Sequence, residues 1–499
     1  ATLSTEDDRI AIVDNVIAFS DPIPAGGSSF TLVDHFLIYS FDDALLGNIP
    51  CSVHIQAGDA EPYYEIDFDI SVSLSLNQYG FPIEGINIKS SPLIADLDNN
   101  AYSEIYFGSE DDNLYSYMIA GNLISGFPFE AGDKIQSSPA AGDVDLDGNN
   151  EIVFGSHDGN LYIIDTNGDQ ELAYSQSGFI IGAPALHDLD GDEDLEIVFT
   201  TQSGSSGKLY AIHHTGSNLD GFPVDLGEKM VVGAAIGDLE SDGSIDIVVT
   251  TYEDHIYAIN TDGTIKDGFP FVASHRFKSP ATLVDLDGDN DLEIVAGNDD
   301  GNLYILHHDG TLMTTFDVGD DIRGGISVAD INDDGDVELL FVGYDDNLHV
   351  WNPLTETELD GWPYDLGYNA LSGPVTADLD NDGDLEIVTA MKSGKIFIFH
   401  HDGSLFKNFP YTVPGNIESS PAIGNLDNDD NYEIVFGTTQ GLHVIDIKSD
   451  KGSRHSWKTY RGNAKRTGNY SLTLTSIEPN DLQLPKKFQV SQNFPNPFN

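Results

Sequence analysis

The sequence is poor in cysteine, in positive charge and in long apolar runs, and each shortage narrows what the chain does. Cys51 is the single cysteine among 499 residues, so no internal disulfide staples this chain. Its flanks, Ile49-Pro50 and Ser52-Val53-His54-Ile55, read as a strand that buries an inert thiol. Lys and Arg number 21 against 84 Asp and Glu, giving a net charge of −63 and an isoelectric point near 4.1. A nucleic-acid partner is disfavoured, because a phosphate backbone demands a basic face, and so are acidic membrane surfaces. No stretch approaches the roughly 18 consecutive apolar residues of a membrane-spanning helix. A basic, apolar leader is also missing; Ala1-Thr2-Leu3-Ser4 reads as the interior of a longer, processed precursor. Catalytic signatures are lacking too: there is no Gly-x-Ser-x-Gly elbow, no His-Glu-x-x-His zinc motif and no dinucleotide fingerprint.

Such an excess of negative charge destabilises a compact state by self-repulsion. Disorder, a saline habitat or bound cations would each accommodate it. Disorder conflicts with the 21 Tyr and 26 Phe, so the placement of the charge decides.

The charge is placed by a repeat. Eight copies of one acidic string begin at Asp96, Asp143, Asp188, Asp238, Asp285, Asp330, Asp378 and Asn425, at spacings of 47, 45, 50, 47, 45, 48 and 47 residues. In each module a short segment, often Ser-Pro as at Ser138-Pro139, leads into the loop. After the loop come an apolar run such as Glu151-Ile-Val-Phe154, a turn such as Asp158-Gly159, a run such as Leu161-Tyr-Ile-Ile164 and a Gly-Phe-Pro segment. The Gly-Phe-Pro segment is clear at Gly126, Gly221 and Gly268, has its counterpart in Gly361-Trp362-Pro363, and is approached by Phe409-Pro410. Runs of four to seven β-branched or aromatic residues between Gly, Asp and Asn are strands. About four strands per repeat is the size of a propeller blade, in which radial closure leaves only short edges. The expectation is an all-β chain: an eight-bladed β-propeller over 70–470, with seven blades as the alternative, preceded by a partial small β-sandwich over 1–69 and followed by a linker and tail over 471–499. Residues 70–82 look like the last strand of a module lacking its first three, and are expected to complete the eighth.

The loops share oxygen donors at positions 1, 3, 5 and 9. These are Asp96, Asp98, Asn100 and Glu104; Asp143, Asp145, Asp147 and Glu151; Asp188, Asp190, Asp192 and Glu196; and Asp238, Glu240, Asp242 and Asp246 in the first four modules. The last four have Asp285, Asp287, Asp289 and Glu293; Asp330, Asn332, Asp334 and Glu338; Asp378, Asp380, Asp382 and Glu386; and Asn425, Asp427, Asp429 and Glu433. Position 7 adds a backbone carbonyl: Tyr102, Asn149, Asp194, Ser244, Asp291, Asp336, Asp384 and Asn431. Alternate residues of a tight loop turn short carboxylates toward one point, which suits calcium with its six to eight hard oxygens. Gly148, Gly243, Gly335 and Gly383 at position 6 relieve the bend. Magnesium fits worse, because it demands octahedral geometry, and zinc is disfavoured because neither Cys nor His belongs to the clusters. Up to eight calcium ions would bring the net charge from −63 to about −47.

These repeats resemble the FG-GAP or VCBS family, related to the repeats of integrin α-subunit heads. The resemblance covers roughly residues 79–447. It implies one calcium per loop at positions 1, 3, 5, 7 and 9, with weaker binding in the fourth and eighth. Trp457 to Gly468 resembles the closing segment of bacterial propellers. The string Leu484-Pro485-Lys486-Lys487 through Asn499 resembles the opening of a type IX secretion sorting domain, which implies an extracellular or cell-surface protein handled by that secretion machinery. The histidine pairs His213-His214, His307-His308 and His400-His401 follow the repeat and read as structural positions. The leading expectation is a noncatalytic binding or scaffold module for extracellular protein or carbohydrate. The alternatives are the C-terminal part of a secreted peptidase, with its catalytic domain upstream, and an enzyme of the polysaccharide-lyase or quinoprotein kind. The scarcity of Lys and Arg weighs against both enzymes.

Overall fold

The run after each acidic loop is short and apolar on both faces: all five residues of Glu151–Gly155 are buried, as are those of Glu196–Thr200 and Glu293–Gly297. A strand of that kind needs cover on both sides of its sheet, and the architecture supplies it. The computed structural model describes residues 1–17, 36–40, 46–57, 64–454 and 457–471. The turn at 22–27, the run at 30–33 and the tail from 484 lie outside these residues.

The chain divides into two compact units, Ala1–Leu76 and Asn77–Asn499. In the first, Gly47–Ala57 pairs with Tyr64–Leu74 along its whole length and Thr2–Ser4 joins its other edge, while Ile10–Asp14 pairs with Leu37–Ser40. Leu3, Ile10, Ile49, Cys51 and Val53 form its core. Cys51 is buried there as a free thiol.

Among the described residues, the second unit holds eight small antiparallel sheets in a propeller-like arrangement, one for each acidic loop. The second module is representative: Ala140–Gly142, Glu151–Gly155, Asn160–Ile164 and Gln170–Ser175 pair in sequence order. In the sixth, Thr357–Glu358 and Tyr364–Asp365 both pair with Asn347–Asn352. Neighbouring sheets share their cores. Leu93 and Tyr106 of the first pack with Ile152 and Phe154 of the second, and Val284 and Val295 of the fifth with Leu339 and Phe341 of the sixth. The last sheet packs against the first in the same way, with Val435, Leu442 and Val444 against Ile105, Phe107 and Tyr117. The Ser420 N–H also donates to Ser91 Oγ at 3.0 Å.

The eighth sheet takes its outer strand from the other end of the chain, as expected, but from a later segment. Ile83–Glu84 pairs with Gly441–Asp446, and Asn77 bridges Ile445. The run Ile70–Leu74 belongs instead to the first unit, because the hairpin with Gly47–Ala57 continues without a break to Gly47 opposite Leu74. The expected boundary at residue 69 therefore falls within the strand Tyr64–Leu74.

Trp457–Asn469 runs past the first strand of nearly every module. Backbone amides of Ala141, Leu186, Ile236, Leu283, Thr376 and Ile423 donate to carbonyls of Ala464, Lys465, Thr467, Gly468, Trp457 and Lys458 at 2.8–3.0 Å. Arg461 and Arg466 are buried in this segment. Arg466 donates to carbonyls of Pro92, Pro139 and Tyr460 and to Thr459 Oγ1, at 2.6–3.0 Å.

Candidate metal centres

Each acidic loop joins the first strand of a module to its second, so all eight lie at the same end of the sheets. Position 9 begins the second strand, and its side chain is at most 2% exposed in every module. In seven modules this residue is Glu, and one carboxylate oxygen accepts the backbone N–H of position 2 at 2.7–3.4 Å. That bond pins the carboxylate at the base of the loop and leaves its second oxygen for another partner, which in the sixth loop is Asn352 Nδ2, donating to Glu338 Oε1 at 3.2 Å.

The shorter side chains are fixed by the backbone. Asp143 Oδ2 accepts the Gly148 N–H at 3.0 Å, Asp145 Oδ1 that of Asp147 at 3.1 Å, and Asp147 Oδ1 that of Asn149 at 2.8 Å. The fifth loop repeats the pattern with Asp285, Asp287 and Asp289. The bend at position 6 has positive φ at Gly148, Gly243, Gly335 and Gly383, as expected, and also at Ala101, Glu193 and Asn290. Position 4 is left-handed in all eight loops, mostly at residues other than glycine: Asn99, Leu146, Gly191, Ser241, Gly288, Asp333, Asn381 and Asn428. Asn, Asp and Gly tolerate that region, which is the signal in the sequence that marks it.

The result is a group of carboxylates held close together with oxygens left over. Asp143 Oδ1, Asp378 Oδ1, Asp380 Oδ1 and Glu433 Oε1 are buried without a hydrogen-bond partner. Buried acceptors of this kind are costly unless a cation or donor meets them. Burial pushes the position-9 acids up, and the neighbouring aspartates add to the effect in most loops. Glu104, Glu151, Glu196 and Glu338 rise to about 7, and Glu386 and Glu433 to about 8. Ligand oxygens of Asp96, Asp98 and Glu104 lie within 4.8 Å of one another. The donor sets thus fit a divalent cation.

Three loops differ from the expectation that no histidine joins them. His213 Nδ1 lies 3.0 Å from Glu196 Oε1, His400 Nδ1 3.1 Å from Glu386 Oε1, and His307 Nδ1 3.5 Å from Glu293 Oε1. The second histidine of each pair reaches position 7: His214 to Asp194, His308 to Asp291 and His401 to Asp384, at 2.9–3.2 Å. The argument against nitrogen ligands therefore fails for the third, fifth and seventh modules. Asp380, Asp382, Glu386 and His400 form one such mixed group. The pairs end the third strand, which runs antiparallel to the second, and sheet pairing brings them to the loop across about 15 residues of sequence.

Basic residues of the C-terminal segment also reach the loops. Arg454 donates to the carbonyls of Gly383 and Asp330, linking the seventh and sixth. Lys451 Nζ donates to the Asp429 carbonyl at 2.7 Å in the eighth.

Residues 330–389 match the FG-GAP-like repeat. They hold the sixth loop and extend through the seventh. No curated protein sequence matches the chain. Among solved structures, the chain is similar to the V. cholerae biofilm matrix protein Bap1, with 13% identity and a TM-score of 0.56 over 76% of this chain and 93% of that one. Saccharomyces cerevisiae Sqt1 gives 12% identity and a TM-score of 0.56 over 73% and 98% of the two chains. The exotype rhamnogalacturonan lyase YesX gives 14% and 0.54 over 86% of each. At these identities the likeness is one of fold.

Proposed function

We propose that this chain is a noncatalytic extracellular binding or scaffold module, a closed eight-bladed propeller stabilised by calcium. The observation that carries this reading is the set of inward, partnerless carboxylate oxygens in loops of one register. Calcium satisfies them with the hard, irregular coordination that alternate aspartates offer. Binding only to the folded state, it stabilises by mass action. Chelation is expected to lower the melting temperature well beyond any ionic-strength control, and bound calcium to be found by elemental analysis. An unchanged melt together with no bound metal would reject the reading.

The ligand is expected at the opposite ends of the strands. There a hollow of about 130 Å³ is lined by Lys89, Gln136, Ile181, Val231, Leu371 and Glu418, with Tyr460 of the C-terminal segment beside them. Enclosed small-molecule sites run to about 300–1,000 Å³. A hollow this small suits a side chain or a single sugar of a larger extracellular protein or carbohydrate. Export by the type IX machinery rests on the tail string and is tested by locating the protein in a strain lacking that pathway.

A second reading is a calcium-dependent polysaccharide lyase, of which YesX, named a rhamnogalacturonan lyase, shares the fold. It requires a base beside a sugar groove, and release of unsaturated sugar ends from pectic polysaccharide would establish it.

A further inference from the structure

The fourth loop departs from the other seven at three places, and the departures meet at one point. Position 3 is Glu240 rather than Asp or Asn, and position 9 is Asp246 rather than Glu. The third departure is Lys266, far along the module. Its backbone N–H donates to the Ala258 carbonyl. In the first, third, sixth and seventh modules the same bond is made by Ile124, Leu219, Leu359 and Phe406, to Ser116, Ala211, Val350 and Ile398. An apolar position has become a lysine in this module alone among the five.

Lys266 Nζ lies 2.5 Å from Glu240 Oε2 and 3.0 and 2.9 Å from the two oxygens of Asp246. The ammonium is largely buried, and Asp246 is 1% exposed. The sizes are complementary. Asp246 is one methylene shorter than the glutamates elsewhere and leaves room for the ammonium, while Glu240 is one methylene longer and reaches it. Lys266 thus occupies both donors that flank the interior, positions 3 and 9. The remaining pair, Asp238 and Asp242, are wired to loop amides: Asp238 accepts from Asp242 and Gly243, and Asp242 from Ser244, at 2.7–3.0 Å. Ser241 and Gly243 keep the positive φ of the other loops. The loop has the fold of a cation site with the cation supplied by its own chain.

We propose that Lys266 is the resident cation of the fourth loop and excludes a divalent ion from it, so that at most seven of the eight loops hold a metal. The inference rests on the calcium reading only for the other loops. Lysine is suited to the place, being a compact point charge with three donors. A buried carboxylate cluster without such a charge would be strongly destabilised.

The test uses the full chain, with calcium counted after equilibrium dialysis and melting followed in calcium and in chelator. Asp143→Asn with Asp145→Asn, in the second loop, is expected to lose one ion per chain. Asp238→Asn with Asp242→Asn is expected to lose none, and loss of an ion there would overturn the proposal. Lys266→Leu with Asp246→Glu and Glu240→Asp is expected to gain one ion per chain. Lys266→Leu alone is expected to lower the melting temperature in chelator, where no metal competes. An unchanged melt of that variant in chelator would overturn the proposal whatever the other loops bind. A wild-type chain that binds no calcium at all would sink the calcium reading and leave this last arm to decide on Lys266.

Discussion

Leu146 is the residue least suited to its place in the loops. It occupies position 4 of the second loop with φ of 61° and is 52% exposed. A left-handed conformation costs a residue with a Cβ roughly 1–2 kcal/mol, and Asn is among the few that tolerate it. Asn99, Asn381 and Asn428 hold the same place in their loops. Leu146→Asn is therefore expected to stabilise the protein by about 1 kcal/mol, seen as a rise of about 1 °C in the melting temperature of a unit this large. Arg466 shows the opposite balance. Its guanidinium is fully buried, and it satisfies three carbonyls and a hydroxyl drawn from the first module, the second and the C-terminal segment. Arg466→Met leaves these acceptors buried and unmet, at about 1–3 kcal/mol for each. A fall of several degrees in the melting temperature is expected, with Arg466→Lys between the two because a point ammonium cannot reach all four. Neither effect depends on metal, so both should persist in chelator. The loop carboxylates were legible in the sequence because their spacing is local. Lys266 and the histidine pairs were not, because their contacts are made across strands and nothing in a single loop announces them.

At the scale of elements, the glycine of the Gly-Phe-Pro segment has a role in joining sheets. Gly268 has φ of +93°, and a Cβ there would lie 2.0 Å from the Asp309 carbonyl oxygen in a turn of the next module. Gly310, in the same turn, approaches the Gly268 carbonyl in return. The pair is a close backbone contact between neighbouring sheets, and Gly126 with Gly168 and Gly361 with Gly403 repeat it. Gly227, with φ of +70°, has nothing within 4 Å of a built Cβ. Gly268→Ala and Gly227→Ala carry similar backbone strain, but only the first must push the adjacent turn away. The first is expected to lower the melting temperature clearly more than the second, and equal effects would show that the contact contributes nothing. The strands themselves were legible, since short β-branched runs between Asp-Gly turns admit little else. The closing strand was placed too early because Ile70–Leu74 has that pattern, whereas Ile83–Glu84 is only two residues long, directly after Gly80-Phe81-Pro82. Only pairing with Gly47–Ala57 assigns the earlier run to the first unit. The register of the C-terminal segment was not legible at all, because it is set by amides of first strands in distant modules, as far back as Ala141.

For the whole molecule, charge and fold are coupled through the loops, and on the proposed calcium reading pH would separate a metal-free from a loaded state. Glu104, Glu151, Glu196 and Glu338 rise from 4.5 to about 7, and Glu386 and Glu433 to about 8, chiefly because they are buried. A carboxyl raised on folding holds its proton more tightly in the native chain than in the unfolded one. Its stabilisation is therefore complete below about 4.5 and is lost as pH rises through 7 to 8. Groups such as Asp299 and Asp345, lowered by Arg276 and His349 respectively against the cost of burial, act in the other direction, but only below 3.8. Between pH 5 and 8 the glutamates dominate, and the melting temperature of the chelated protein is expected to fall steadily. On the proposed reading calcium would reverse the sign, because it would bind the deprotonated carboxylates and displace their protons. The gap between melts in calcium and in chelator should therefore widen from pH 5 to pH 8. A chelated protein that melts no lower at pH 8 than at pH 5 would mean that the position-9 acids do not share a buried, metal-free loop in solution. The calcium-dependent gap would then have to arise from general screening of the −63 net charge, which added monovalent salt would reproduce.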